Sequence, residues 1–401
     1  MSKKNRKWLV FTIMCLAYMP GSYAQYQLSV FAPELIQSFG LTTSQFSSLF
    51  TAPMIVAIFL SFVGGMISDK VGSKKVINIS FVIAGIGMIG RVFANSYMPF
   101  FLCMALTGFS NMFVNINASK ITASWFEQEK LGILMGIFAF CGQLPGAFAT
   151  ATTAVLFDSR TSAFIVSAIF CISVFVLWLL FVKDKPEDTM EEREKIDQEN
   201  QPSIGDSLKV VLSNKGIWLV SICIMMALGS TVTLSTFMPM ALQTMYGIDL
   251  KVCGTIASML TLGNCIGSIT GPIVFSKIKN VKVFVSGAAV LSFAGIIMCW
   301  RFPSIFVLHI LVLYTGIVLG ASMPIFLSAP VLLEGLGTKY AGSAAGVIST
   351  LQLLGAVLIP TYILTPIAGE NYSLLFMLAS ICMVIMFLCG LLLPQFGNNQ
   401  K

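Results

Sequence analysis

Apolar residues in this chain come in twelve long runs, near residues 8–30, 46–67, 76–94, 98–120, 131–156 and 161–182, then 216–241, 252–275, 283–300, 304–328, 341–366 and 371–393. Each run approaches the roughly 20 residues that a helix needs to cross a bilayer. The runs fall six and six around one charged stretch from Lys183 to Lys215. The pattern predicts an all-α membrane protein with twelve transmembrane helices. It divides into an N-terminal six-helix bundle (1–182), a charged cytoplasmic linker (183–215) and a C-terminal six-helix bundle (216–401).

The two halves repeat one another. Trp8-Leu9-Val10 returns as Trp218-Leu219-Val220, and Gly85, Arg91, Gly132 and Gly136 return as Gly295, Arg301, Gly342 and Gly346, all at an offset of 210. Pro33 with Gly40 and Pro239 with Gly247 keep the same order at offsets of 206 and 207. Duplicated six-helix halves with a site at their interface are one transporter design. The repeat also decides the reading of the N-terminus, where a basic tail, an apolar run and Ser22-Tyr23-Ala24 imitate a cleavable signal. That run continues to about Ala32, too long for a signal core, and its opening recurs in the seventh span. It belongs to the fold.

Composition agrees, because 56% hydrophobic with 10% charged residues is more apolar surface than a soluble domain can solvate. The net charge of +7 would suggest nucleic acid in a soluble protein. Here its distribution matters more. With the N-terminus inside, 20 of the 24 Lys and Arg fall in cytoplasmic segments, and only Arg91, Arg160, Lys251 and Arg301 lie outside. The chain is therefore expected in the cell membrane with both termini cytoplasmic and the lipid bilayer as partner, and with no nucleic acid. All ten cysteines are scattered, without a CxxC pair, and His309 is the only histidine. No disulfide framework, metal site or cofactor is expected. No nucleophile has a nearby His and carboxylate, so an enzyme is not expected either.

The loop after the second span reads Gly64-Gly65-Met66-Ile67-Ser68-Asp69-Lys70-Val71-Gly72-Ser73-Lys74-Lys75. It resembles the signature loop of the major facilitator superfamily, with Gly65, Asp69, Lys70, Gly72, Lys74 and Lys75 matching and Ser73 departing from a usual basic residue. The resemblance extends over nearly the whole chain. It implies two six-helix bundles related by pseudo-twofold symmetry and transport of a small-molecule substrate by alternating access; a monomer is expected. It also implies a conformational switch at this loop, in which Asp69 meets the N-terminus of the eleventh helix near Tyr340 and Ala341, where free amides and the helix dipole favour an anion. The alternative is a turn that anchors the loop by positive charge. The second half has Ser276 opposite Asp69, so the switch is one-sided. The run Trp125 to Gly132 is loosely similar to organic-anion members such as cyanate, nitrate and oxalate porters.

Charged groups inside spans are functional suspects. Lys120, at the inner end of the fourth span, either snorkels to the interface or contacts substrate. Arg91 and Arg301, near outer ends, are expected to snorkel to headgroups. No Asp or Glu stands midway along a span, so proton coupling would have to use Glu34, His309 or Lys120. Tyr18, Ser22 and Gln25 share one face of the first span, and Thr107, Asn111 and Asn115 recur every four residues along the fourth. Gln143, Asn264, Tyr314 and Gln352 lie on helices that the family uses around its site. Such groups either bridge helices or orient a ligand. Taken together they suggest a small organic solute, an anion by the charge balance. A proton-coupled exporter of amphipathic drugs, motivated by 22 Met and 32 Phe, is the alternative, and a membrane sensor that kept the transporter fold is the remote one.

Overall fold

The computed structural model describes residues 3–126, 128–182, 204–333 and 337–395. Side chains of residues 3–5, 61–63, 65, 66, 69, 70, 128–133, 204–208, 331, 332, 337–339, 341 and 342 lie outside that description. The helix expected at Met190 to Asn200 also falls outside it. Among the described residues the chain is helical between short turns and holds no strand.

The chain divides into two compact units, Met1–Thr189 with Asp249–Ser258, and Met190–Ile248 with Met259–Lys401. The first half contributes α1 (Lys3–Val30), the short α2 (Ala32–Phe39), α3 (Thr43–Val71), α4 (Ser73–Phe93), α5 (Tyr97–Trp125), α6 (Gln128–Leu156) and α7 (Arg160–Phe181). The second contributes α8 (Ile204–Ser213), α9 (Lys215–Tyr246), α10 (Leu250–Ile278), α11 (Val281–Met298), α12 (Ile305–Leu332), α13 (Gly337–Leu358), a π-helical turn (Ile359–Leu364), α14 (Thr365–Ala368) and α15 (Tyr372–Leu392). Eleven of these helices are long and apolar enough to cross a membrane. With α1, whose basic start Lys3-Lys4-Asn5-Arg6-Lys7 precedes its apolar stretch, the protein is a twelve-span, all-α membrane protein.

Lipid-facing surface explains why the helices remain apolar on their outsides. Phe59, Phe93 and Phe306 are each more than 70% exposed, an arrangement tolerable only where the solvent is hydrocarbon and every backbone group is satisfied within its own helix. Inside the first bundle the core gathers Val10, Met14, Phe81, Phe138 and the fully buried Trp178. Ends are set locally. Thr42 and Gln45 form a reciprocal capping box at the start of α3. Gly40 and Gly247 close α2 and α9 with φ of 63° and 64°, in left-handed backbone that glycine adopts without steric cost. This repeated pair therefore does the same work in both halves. Its prolines do not, because the chain breaks at Phe31 before Pro33 while α9 runs on through Pro239.

The helices of the second half pack with bare backbone contact at one crossing. Gly263, Gly267 and Gly271 of α10 face Gly316 and Gly320 of α12 so closely that a Cβ on any of them would lie 2.0–2.3 Å from a carbonyl oxygen of the partner helix. Small residues at fourfold spacing permit this approach, which gains dispersion and weak backbone contacts where lipid supplies no hydrophobic drive. The first half reaches similar closeness at Gly108, which sits against the Pro53 carbonyl.

Two features depart from the sequence reading. The expected linker at 183–215 ends in the ten-residue helix α8. The eleventh span is interrupted by the π turn, in which Thr365 donates to the carbonyl of Pro360 five residues earlier. Proline has no N–H for the regular ladder, and a wider turn absorbs the mismatch.

Candidate functional site

In the first bundle the predicted polar residues divide by contact. The Asn111 amide of α5 lies 3.1 Å from Ser22 Oγ of α1, and turned about its Cγ it also donates to the Tyr18 carbonyl at 3.2 Å. Gly21 makes room, since a Cβ there would sit 2.5 Å from Asn111 Oδ1. The Tyr18 ring stacks on Phe138 of α6 at 4.8 Å, against the bare backbone of Gly142. The structure thus brings Tyr18, Ser22 and Asn111 together as a three-helix contact. Gln25 points elsewhere: it is buried and donates to the Phe50 carbonyl of α3 at 2.8 Å. Thr107 is buried and bonded to its own helix at Met104.

One and two turns further along α5, Asn115 and Lys120 are exposed. The helix continues to Trp125, five residues past the predicted end of the span. Lys120 therefore lies about 8 Å inside the helix end. Gln143 is half-buried on α6, beside Gly142. Among the second-half candidates, Asn264 is buried where α10 crosses Gly320 of α12, and Tyr314 lies against Gly295 of α11. Gln352 is half-buried on α13. Nothing among the described contacts joins these three.

The signature loop keeps its turn. Gly72 has φ 94° and ψ 137°, a conformation open to glycine alone, and ends α3 by donating to the Ser68 carbonyl at 3.1 Å. Lys75 is exposed and Lys74 half-buried. The surroundings of Gly65 and the side chains of Asp69 and Lys70 lie outside the described residues. Asn117, which sequence reading passed over, holds this end of α3 in place: fully buried, it donates to Ser68 Oγ at 3.0 Å and to its own Phe113 carbonyl at 2.8 Å.

Arg91 corrects an expectation. Instead of snorkelling, it is 1% exposed and enclosed by α1, α5 and α7. Its guanidinium donates to the Ala24 carbonyl at 2.9 Å, to Gln27 Oε1 at 3.1 Å and to Ser167 Oγ, and it lies 4.4 Å from the Phe164 ring. Gln27 in turn donates to the Ala163 carbonyl. These acceptors are all neutral, and Nε has none. The reason the position misled is rotational: a residue near a span end snorkels only if its face meets lipid, and this face meets three helices. Gln27 and Ser167, two polar residues in otherwise apolar runs, were the available signal. Arg301, its repeat partner, is exposed and covers Trp300.

Of the three coupling candidates, Lys120 is exposed on α5, and Glu34 and His309 are engaged by neighbours. Glu34 pairs with Arg160 Nε at 3.3 Å on an exposed face, where Arg160 also bonds Ser38. His309 Nδ1 lies 2.8 Å from the Ile305 carbonyl one turn back, so that nitrogen carries the proton. Among the described residues no three His, Cys, Asp or Glu side chains gather as a metal site.

A duplicated, twelve-span helical protein with a strained glycine turn after its third helix is built like a secondary transporter. The sequence model of the Major Facilitator Superfamily matches residues 10–360, and the chain belongs to that family. A probable sulfoacetate transporter of Cupriavidus necator is 24% identical over 85% of this chain and 83% of its own. A galacturonate transporter of Dickeya chrysanthemi is 22% identical over 74% of this chain and 90% of its own. Among solved structures, a bacterial homologue of the human lysosomal transporter Spinster, inward-facing and unoccupied, superposes with a TM-score of 0.78 at 13% identity, covering 98% of this chain and 95% of that one. That likeness concerns the fold.

Proposed function

We propose that the protein carries a small organic anion across the cytoplasmic membrane by alternating access of its two bundles, working as a monomer with both termini in the cytoplasm. The sign of the charge within the spans carries the reading. Lys120 is exposed on α5, beyond Asn111 and Asn115, and no carboxylate stands midway along any span. A site biased this way attracts an anion and repels a cation. Sulfoacetate and galacturonate, named for the two relatives, are both small anions.

In this reading Lys120 supplies the charge, and Tyr18, Ser22, Asn111, Asn115 and Gln143 from the first bundle orient the ligand with Asn264, Tyr314 and Gln352 from the second. Gln25, bonded to Phe50, serves by holding α1 on α3. The turn with Gly65, Asp69, Lys70, Gly72, Lys74 and Lys75 is the switch that differs between access states. Glu34 and His309 are already engaged locally, which favours anion exchange or facilitated diffusion over proton coupling.

Uptake of labelled sulfoacetate and galacturonate into proteoliposomes tests the proposal. Lys120→Gln is expected to raise KM about tenfold or more, since a hydrogen bond to a charged group contributes about 1.5–3 kcal/mol. Uptake of anions by Lys120→Gln equal to the parent at every concentration would sink the anion-site reading. Binding of these anions without flux would instead mark a sensor, and transport of cationic amphiphiles that collapses with the pH gradient would mark an exporter.

A further inference from the structure

The repeat that relates Trp8 to Trp218 breaks in what surrounds them. In the first bundle Trp8 meets the edge of Phe126 at 5.1 Å, and Lys7 lies over the same ring at 5.3 Å, so aromatic and cation satisfy each other. In the second bundle, among the described residues, no ring packs on Trp218. Its indole donates to the Leu212 carbonyl at the end of α8, and Trp218 is 43% exposed, close to the 47% of Trp8, so the two differ in their partners and not in their exposure. Beside it opens a recess of about 760 Å³ between the starts of α9 and α11 and the end of α15, lined by Asn214, Lys215, Trp218, Lys282, Leu333 and Leu392 among others.

Three properties of this recess point to one kind of occupant. Two lysines line it, and no described carboxylate pairs with either. The helices that begin there, α9 and α11, carry no acidic residue in the first turn. Its apolar wall opens outward, because Leu392 is 69% exposed, and an interfacial tryptophan marks the depth at which headgroups lie. By the distribution of Lys and Arg this is the cytoplasmic side, where basic recesses between helices meet anionic headgroups.

We propose that the recess binds an anionic glycerophospholipid, with its phosphate between Lys215 and Lys282 and its acyl chains over Trp218 and Leu392. The lipid replaces, in the second bundle, the packing that Phe126 gives Trp8 in the first. It also ties α8, whose Leu212 carbonyl holds the indole, to the foot of α9.

Native mass spectrometry of the full-length protein in micelles, titrated with phosphatidylglycerol or phosphatidylcholine, tests this. Phosphatidylglycerol should remain bound preferentially, and Lys215→Gln with Lys282→Gln should weaken it roughly thirty-fold, at about tenfold per 1.4 kcal/mol for two lysines near a membrane surface. Lys277→Gln with Lys279→Gln, which removes as much charge from lysines that do not line the recess, should weaken it clearly less than the Lys215/Lys282 variant does. Thermal denaturation in the same micelles checks that each variant is folded, and phosphatidylglycerol should raise the Tm of the parent more than that of the Lys215/Lys282 variant. Equal retention of the two lipids, equal losses in the two double variants, or the full Tm rise from inorganic phosphate alone would overturn the proposal.

Discussion

Replacing Gly267 with alanine adds one methyl where the structure has no room for it. A Cβ there would lie 2.1 Å from the Ile317 carbonyl oxygen, and 2.9 Å from both the Ile317 carbonyl carbon and the Ala321 nitrogen. Contacts under 3.0 Å are essentially never made by real Cβ atoms, and these neighbours are backbone, so no side chain can rotate aside. The two helices must separate by about 1 Å, which forfeits a large part of the attraction along the whole stripe from Gly263 to Gly271. Overpacking of this kind costs about 1–3 kcal/mol. Alanine returns about 1 kcal/mol of helix propensity, so the net change is a loss of about 0–2 kcal/mol. Gly287→Ala is the matched control, being helical with nothing within 4 Å of its Cβ position, and it should gain about 0.5–1 kcal/mol. The assay is thermal denaturation of both variants in the same detergent, followed by fluorescence-detected size exclusion. A Tm for Gly267→Ala equal to or above that of Gly287→Ala would refute the bare-backbone crossing of α10 and α12.

Arg91→Ala should destabilise the protein by about 3 kcal/mol or more, because it empties a filled site and strands the acceptors of Gln27 and Ser167; Arg301→Ala, on an exposed side chain, should change stability by less than about 0.5 kcal/mol. Equal melting temperatures for the pair would show that Arg91 is not enclosed as described. Gly72→Ala forces a side chain into backbone with φ 94° and should cost about 1–3 kcal/mol, seen as a lower Tm; an unchanged Tm would mean the turn relaxes without cost.

The spans were legible because the bilayer imposes a length and a composition that few other environments require. Duplication was legible too, and Gly40 and Gly247 show that the matched positions share backbone geometry. Rotation about each helix axis was not. A nearly uniform apolar run carries no periodic signal to say which face meets lipid, so Arg91 reads like Arg301 although one is enclosed by three helices and the other covers Trp300. The polar candidates suffered similarly. Asn111, Asn115 and Asn117 look alike in sequence, yet the structure bonds Asn111 to α1, exposes Asn115 and ties Asn117 to Ser68. Helix α8 was hidden by the charges around it, and the π turn by the ability of Pro360 to read as an ordinary kink.

Bare backbone contact between α10 and α12 also has a mechanical meaning. Side chains at an interface act as springs, since each can change rotamer as the helices slide; glycines offer no such give. The pair therefore behaves as a laminated beam, stiff in bending and resistant to shear along its length. Compliance in the second bundle must come from elsewhere, and the widened turn at Ile359–Leu364, with its looser ladder, is the weakest joint available to supply it.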